Sequence, residues 1–318
     1  MGVMAEAERA RGFRGRLSSL GSSRMSEGRF AYLLVLPVVI CLMAIMLYPT
    51  LYSIWISVFS IDIATDTWQF VGADNYTQAL SSTDVQGAIG TTIRYTIYVT
   101  CFSAIVAVLG ALLLNERFRG RRVLAVLVIL PWSLSTYAAG VIFRFLYLPQ
   151  GFLNSALQDI HVLQRPIEFI SDNLVLVSIA VAQAWQVSPL GILFIYATLQ
   201  VVPEDLFRLG RTDGLGAFGR FRNVIWPYIR LPIAIYLVLV TAEAAKVFDI
   251  IYFMSGGGPG TASLDLVYEI YKETFENYNL GYGAAISYIL VAIILVISTA
   301  YFLLILRRRG GSRGTVSR

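Results

Sequence analysis

Three ionisable residues spaced three apart, Glu243, Lys246 and Asp249, interrupt the apolar run Leu231–Phe253. On a continuous helix that spacing puts them on one face. A charge at lipid depth costs about 2.5–3.5 kcal/mol on insertion scales, so such groups face protein or water. The trio suits either an ion-pair ladder between helices or the wall of a polar pathway. A second polar set, Gln183, Trp185, Gln186 and Ser188 beside Pro189, breaks into Leu174–Val201. Amides and an indole hydrogen-bond and stack on a sugar, and they equally tie helix to helix. Catalytic chemistry has little to work with. His161 is the one histidine, and Cys41 and Cys101 both fall in apolar runs. No catalytic residue, metal site or disulfide framework is expected from so few groups.

The elements that must hold these residues are membrane spans. The chain has 318 residues, 57% of them hydrophobic and 14% charged, with a mean hydropathy of +0.67. That is too apolar for an ordinary soluble domain. A bilayer crossing needs about 20 mostly apolar residues. Six runs qualify: Phe30–Phe59, Ile93–Leu114, Val123–Leu146, Leu174–Val201, Leu231–Phe253 and Gly281–Leu306. Pro37 and Pro49 are kink points in the first. Its apolar length exceeds a cleavable signal, so it is expected to remain as a span.

Of the 25 basic residues, 20 fall in the two tails, the second–third connection and the fourth–fifth connection. All of these lie on one side of a six-span chain. The basic side is cytoplasmic by the usual rule. Both termini are therefore expected inside, in a multi-pass protein of a bacterial plasma membrane. Residues 1–29 form an Arg-rich tail, 30–306 the six-span domain and 307–318 a second tail. The tails suit anionic lipid. They lack the basic surface with interleaved aromatics that nucleic acid requires.

The fourth–fifth connection, residues 202–230, is a long inner insert. Pro203 suits a helix start, Asp213-Gly214 marks a turn, and a second short helix carries Leu215, Phe218, Phe221 and Val224–Ile225. Pro227 and Pro232 mark the return to the membrane. In the first outer loop, Asp74 can cap a short helix beginning at Asn75. The third outer loop opens Ser255-Gly256-Gly257-Gly258-Pro259-Gly260, a permissive turn. It continues over Asp265–Tyr278 as an acidic amphipathic helix. Glu269, Glu273 and Glu276 then share a solvated face or one that meets a basic partner.

The insert resembles the conserved cytoplasmic loop of binding-protein-dependent ABC importer permeases: Glu-Ala-Ala, three residues, Gly, nine residues, Ile-x-Leu-Pro. Here the glycine is Gly214, preceded by Asp213, and the later positions fall on Val224, Trp226 and Pro227. Arg208, Leu209 and Gly210 stand where the family has Glu-Ala-Ala, a base replacing an acid. Phe70–Tyr76 (FVGADNY) and Phe248–Gly260 (FDIIYFMSGGGPG) are similar to stretches of the carbohydrate-type branch. The resemblance implies an all-α, six-span type I importer permease forming half of a pseudo-symmetric pore. It implies a second related permease, two ATPase subunits binding ATP and Mg, and an extracytoplasmic solute-binding protein. Arg208, Leu209, Gly210, Asp213, Gly214, Phe218 and Pro227 would then couple to the ATPase. Gln183, Trp185, Gln186, Glu243, Lys246 and Asp249 would line the pathway. Gly256, Gly257, Gly258, Pro259, Glu269 and Glu273 would dock the binding protein.

The chain has no Walker-type GxxxxGK[ST], so ATP hydrolysis belongs to partners and no cofactor is expected on this chain. A glycerol-phosphate ester is an alternative solute, although Lys246 is the only evident pathway cation. A polytopic membrane enzyme lacks convergent acids and histidines. An ion-coupled carrier would show inverted repeats and broken helices, which the sequence does not suggest.

Overall fold

The computed structural model describes residues 27–62, 65–203, 205–206, 212 and 214–310. The chain divides into two compact units, Met1–Trp55 and Ile56–Arg318. Among the described residues, five helices are long and apolar enough to cross a membrane, and a bent pair meets the same criterion when its two helices are taken together as one span.

Among its described residues the first unit is one helical run, α1. It spans Glu27–Leu42, passes through a π turn at Met43–Leu47 and resumes as Tyr48–Ile56. Both Pro37 and Pro49 lie inside helix. Proline lacks the N–H that would bond four residues back. The π turn just before Pro49 absorbs one such loss, and the Thr50 hydroxyl donates to the Met46 carbonyl at 2.7 Å.

The second unit opens with a hairpin that the periodicity did not announce. Strands β1 (Phe59–Asp62) and β2 (Thr67–Phe70) pair antiparallel, Phe59 opposite Phe70. Helix α2 (Asp74–Ser81) follows. Asp74 lies in its first turn and is not its cap; Ala73 holds that position without a side-chain bond. Helix α3 (Thr83–Asn115) is 33 residues long, about 50 Å at 1.5 Å per residue, well beyond a ~30 Å hydrocarbon core. It begins ten residues before the expected span, capped by the Ser82 side chain, which accepts from Val85 N–H. The extra turns are helical because Val85 and Ala88 bury against Leu264, Leu266 and Ile286.

The expected span Val123–Leu146 is a bent pair. Helix α4 (Arg121–Ile129) runs into a 3-10 turn, Leu130–Ser133, and α5 (Thr136–Leu146) leaves at 105°. Pro131 opens the 3-10 turn, Leu134 and Ser135 are extended, and Ser135 Oγ caps α5 at Ala138 N–H. Helix α6 (Phe152–Asp159) precedes α7 (Val175–Leu199), the most enclosed span. Small residues let α7 approach its neighbours: a Cβ on Gly191 would sit 2.7 Å from both Ala107 Cβ and Tyr236 Cε1.

The fifth span also differs from expectation. Helix α8 runs unbroken from Ala217 to Ala245, with a π turn at Phe221–Ile225 before Pro227. The second insert helix and the fifth span are thus one rod, and Pro227 and Pro232 lie within it. The rod stops at Lys246, and α9 (Asp249–Met254) starts anew. Helix α10 (Leu266–Tyr271) continues as a π turn, Lys272–Glu276, and α11 (Leu280–Gly310) is the last span.

Candidate functional site

The two helix breaks face a cavity of about 490 Å³ in the second unit. Its wall combines Trp132 and Thr136 from the α4–α5 break, Gln183 and Gln186 from α7, and Glu243, Lys246 and Asp249 around the α8–α9 break. Each break is held from outside. On α5, Gly140 packs against the backbone of α9, where an added Cβ would lie 3.2 Å from Ile250 Cα. Arg144 Nη1 donates to the Phe253 carbonyl at 3.1 Å, and the Tyr137 and Phe253 rings meet edge-on at 4.3 Å. The open backbone of the first break is used: Gln186 Nε2 donates to the Leu134 carbonyl at 3.0 Å. Gln183 Oε1 accepts from the buried Tyr95 hydroxyl at 2.6 Å.

The charged trio is neither a buried ladder nor a single helical stripe. Lys246 Nζ lies 2.9 Å from Glu243 Oε1, with the two side chains 57% and 60% exposed. Lys246 caps α8 and Asp249 begins α9, so the one-face expectation fails at the break. All three still line the cavity. Trp185 does not line the cavity; its ring packs edge-on against Phe143 at 5.3 Å. Trp132, unremarked in the sequence, takes the aromatic place on the wall. Pro131 and Ser135, a breaker and a cap around it, are the local signal for that break.

The loop after α9 is ordered. Gly256, Gly257 and Gly260 adopt φ of +62°, +80° and +53°, values that favour glycine. The Ser263 hydroxyl donates to the Gly258 carbonyl at 2.7 Å and meets the Ser255 hydroxyl at 2.8 Å. The Tyr268 ring covers Gly257. The acids that follow are not one solvated face. Asp265 is fully buried and Glu269 is 2% exposed. Asp265 Oδ1 caps α10 by accepting Tyr268 N–H at 2.8 Å. Burial pushes its carboxyl up to about 7, and the backbone hydrogen bond from Tyr268 pulls the other way. Burial also raises Glu269, and Lys272 at 3.5 Å partly offsets this. Glu273 accepts from the amides of Asn277 and Asn279, both at 2.8 Å.

In the insert, Arg208, Leu209, Gly210 and Asp213 lie outside the described residues. Gly214 has φ +69° with open space around it, and Phe218 is 75% exposed. Among the described residues no group of three His, Cys, Asp or Glu is placed to hold a metal ion.

Residues 100–310 match the family model described as binding-protein-dependent transport system inner membrane component. The chain is 30% identical to the trehalose/maltose transport system permease protein MalF of Thermococcus litoralis, over 86% of this chain and 93% of that protein. It is 31% identical to the sulfoquinovosyl glycerol transport system permease protein SmoG of Agrobacterium fabrum, over 88% and 92%. It is 30% identical to an sn-glycerol-3-phosphate transport system permease protein UgpA of Escherichia coli, over 85% and 92%. In fold it is similar to a chain of a bacterial ABC transporter that imports the acidic polysaccharide alginate, with a TM-score of 0.74 at 18% identity, covering 87% of this chain and 95% of that one. A multi-pass, mostly helical chain with this cavity and these relatives is a member of the binding-protein-dependent transport system inner membrane components, a permease subunit of an ABC importer.

Proposed function

We propose that this chain forms half of the translocation pathway for a carbohydrate in an ATP-driven importer of a bacterial plasma membrane. The observation that carries the reading is the cavity between the two helix breaks. It offers amides, an indole and half-exposed charges, the groups a polyhydroxylated solute needs. The relatives named for trehalose and maltose transport support the solute class. An anionic ester is less well served: among the described lining residues Lys246 is the sole cation, and Glu243 already pairs with it. Replacing Gln183 by Leu or Trp132 by Ala should cut uptake about tenfold or more while the complex assembles at wild-type yield. Normal uptake in both variants would remove the cavity from the pathway.

The remaining parts follow from the same reading. A second permease completes the pore, two ATPase subunits dock on the insert, and an extracytoplasmic binding protein delivers the solute. The end bearing Gly214 is cytoplasmic. The exposed Phe218 ring, four residues beyond the open left-handed Gly214, is the ATPase contact; Arg208, Leu209, Gly210, Asp213 and Pro227 complete that segment. Phe218→Asp should lose ATPase co-purification without loss of membrane insertion. Gly256, Gly257, Gly258 and Pro259, with Glu273, contact the binding protein; Glu269 supports them from its buried position. Cysteines at positions 72 and 257 should label from outside intact cells, and one at 214 should not.

A further inference from the structure

One face of α3 joins the loop helix α10 to the cavity. Thr92 Oγ1 accepts the N–H of Leu266, the first residue of α10, at 2.8 Å and donates to the Ala88 carbonyl at 2.9 Å. Leu266 lies 174 residues away in sequence, so a distant helix supplies one of the caps that α10 needs. One helical turn on, Tyr95 is fully buried and donates to Gln183 Oε1. That bond occupies the acceptor of the amide and fixes which way it points. Nε2 remains as a donor, without a protein partner among the described residues, on a side chain that lines the cavity. Asp265, the cap of α10, lies within electrostatic reach of Tyr95. The joint is not fully satisfied: Asp265 Oδ2 and Thr96 Oγ1 are buried without a hydrogen-bond partner. Buried polar atoms left unpaired are costly, so the joint is sensitive to small changes around it.

We propose that Tyr95 is a positioning residue through which the loop helix α10 sets the donor that Gln183 presents to the solute. The loop and the cavity are then one coupled unit, with Thr92 as its loop-side contact and Gln183 as its cavity-side contact. This rests on the reading that the cavity carries solute.

The test uses the assembled complex and two near-isosteric changes, Tyr95→Phe and Thr92→Val, each scaled to complex yield. Trehalose uptake with saturating binding protein is the first readout. Tyr95→Phe should lower maximal uptake about three- to tenfold, the worth of one buried hydrogen bond. Thr92→Val should act in the same direction, and the double variant should be no worse than Tyr95→Phe alone. The second readout needs no solute: maleimide labelling of Thr136→Cys on the cavity wall, with Cys41 and Cys101 replaced by Ser. Thr92→Val should change its labelling rate at least about twofold, and Tyr95→Phe should abolish that dependence. Multiplicative effects in the double variant, or a labelling rate blind to Thr92→Val, would overturn the coupling. If Gln183→Leu impairs uptake but Tyr95→Phe does not, the relay fails and the cavity reading stands. If Gln183→Leu is silent, the cavity reading itself fails.

Discussion

The two acidic regions of this molecule exchange the environments their sequences suggest. Glu243 and Asp249 lie in an apolar span and are exposed to a cavity, whereas Asp265 and Glu269 lie in a polar loop and are buried. The difference comes from what each backbone does. At Lys246 the helix stops, and the three charges around the break stay open to the cavity. At Asp265 a helix begins, and its first turn is pressed onto α3, where Thr92 and Asp265 satisfy its free N–H groups. Membrane depth sets the cost of a charge, but local packing decides whether that cost is met by water or by protein.

The sharpest way to break this comparison is charge reversal at both places. Asp265→Lys puts an unpaired ammonium in a closed site and should cost about 3–5 kcal/mol, enough to abolish recoverable complex. Asp249→Lys should leave assembly intact while uptake falls more than about tenfold. Equal loss of yield in the two variants, measured by complex recovery, would make the regions alike.

Neutralisation gives a smaller effect. Lys246→Met removes a half-exposed pair, so stability should change by less than about 1 kcal/mol. Uptake should still fall, because Glu243 is freed beside the solute. A drop in melting temperature as large as that of a core deletion would restore the ladder reading.

Protonation sharpens the contrast further. The folded state holds the Asp265 carboxyl near pH 7, above its unfolded value of 3.8. A raised acid favours the protonated fold, so its contribution is full below the unfolded value. It is lost as pH rises from about 4 through 7 and is level above that. Thermal unfolding of the complex should weaken across that window. Asp265→Asn keeps an acceptor for the cap and should flatten this component. An unchanged profile in the variant would assign the pH dependence to another group.

The smallest expected effect is at the loop surface. Glu273→Gln keeps one acceptor for two amides and should cost about 1 kcal/mol or less. If it also weakens binding-protein-stimulated ATP hydrolysis at unchanged yield, Glu273 belongs to the docking face. If it does not, Glu273 serves only the Asn277 and Asn279 amides.

The sequence by itself determined the spans, the arginine asymmetry, the permissive glycine turn and membership of the permease family, because each is written locally as apolar length, charge placement or motif spacing. Gln183 and Gln186 were legible as cavity residues for the same reason: polar side chains in a long apolar run need a polar neighbour. Tertiary structure decided which of the proline signals break a helix. Pro131 lies at the 105° bend between α4 and α5, whereas Pro227 and Pro232 lie within one continuous helix, and the residue type is the same in each case. It also decided that Trp132 lines the wall while Trp185 packs on Phe143, and that Glu269 turns inward. The physical reason is that a proline or an acid specifies only a local deficit, a missing N–H or a charge to be solvated. Which element, water-filled space or distant hydroxyl makes good that deficit depends on residues as far off as Thr92 is from Leu266.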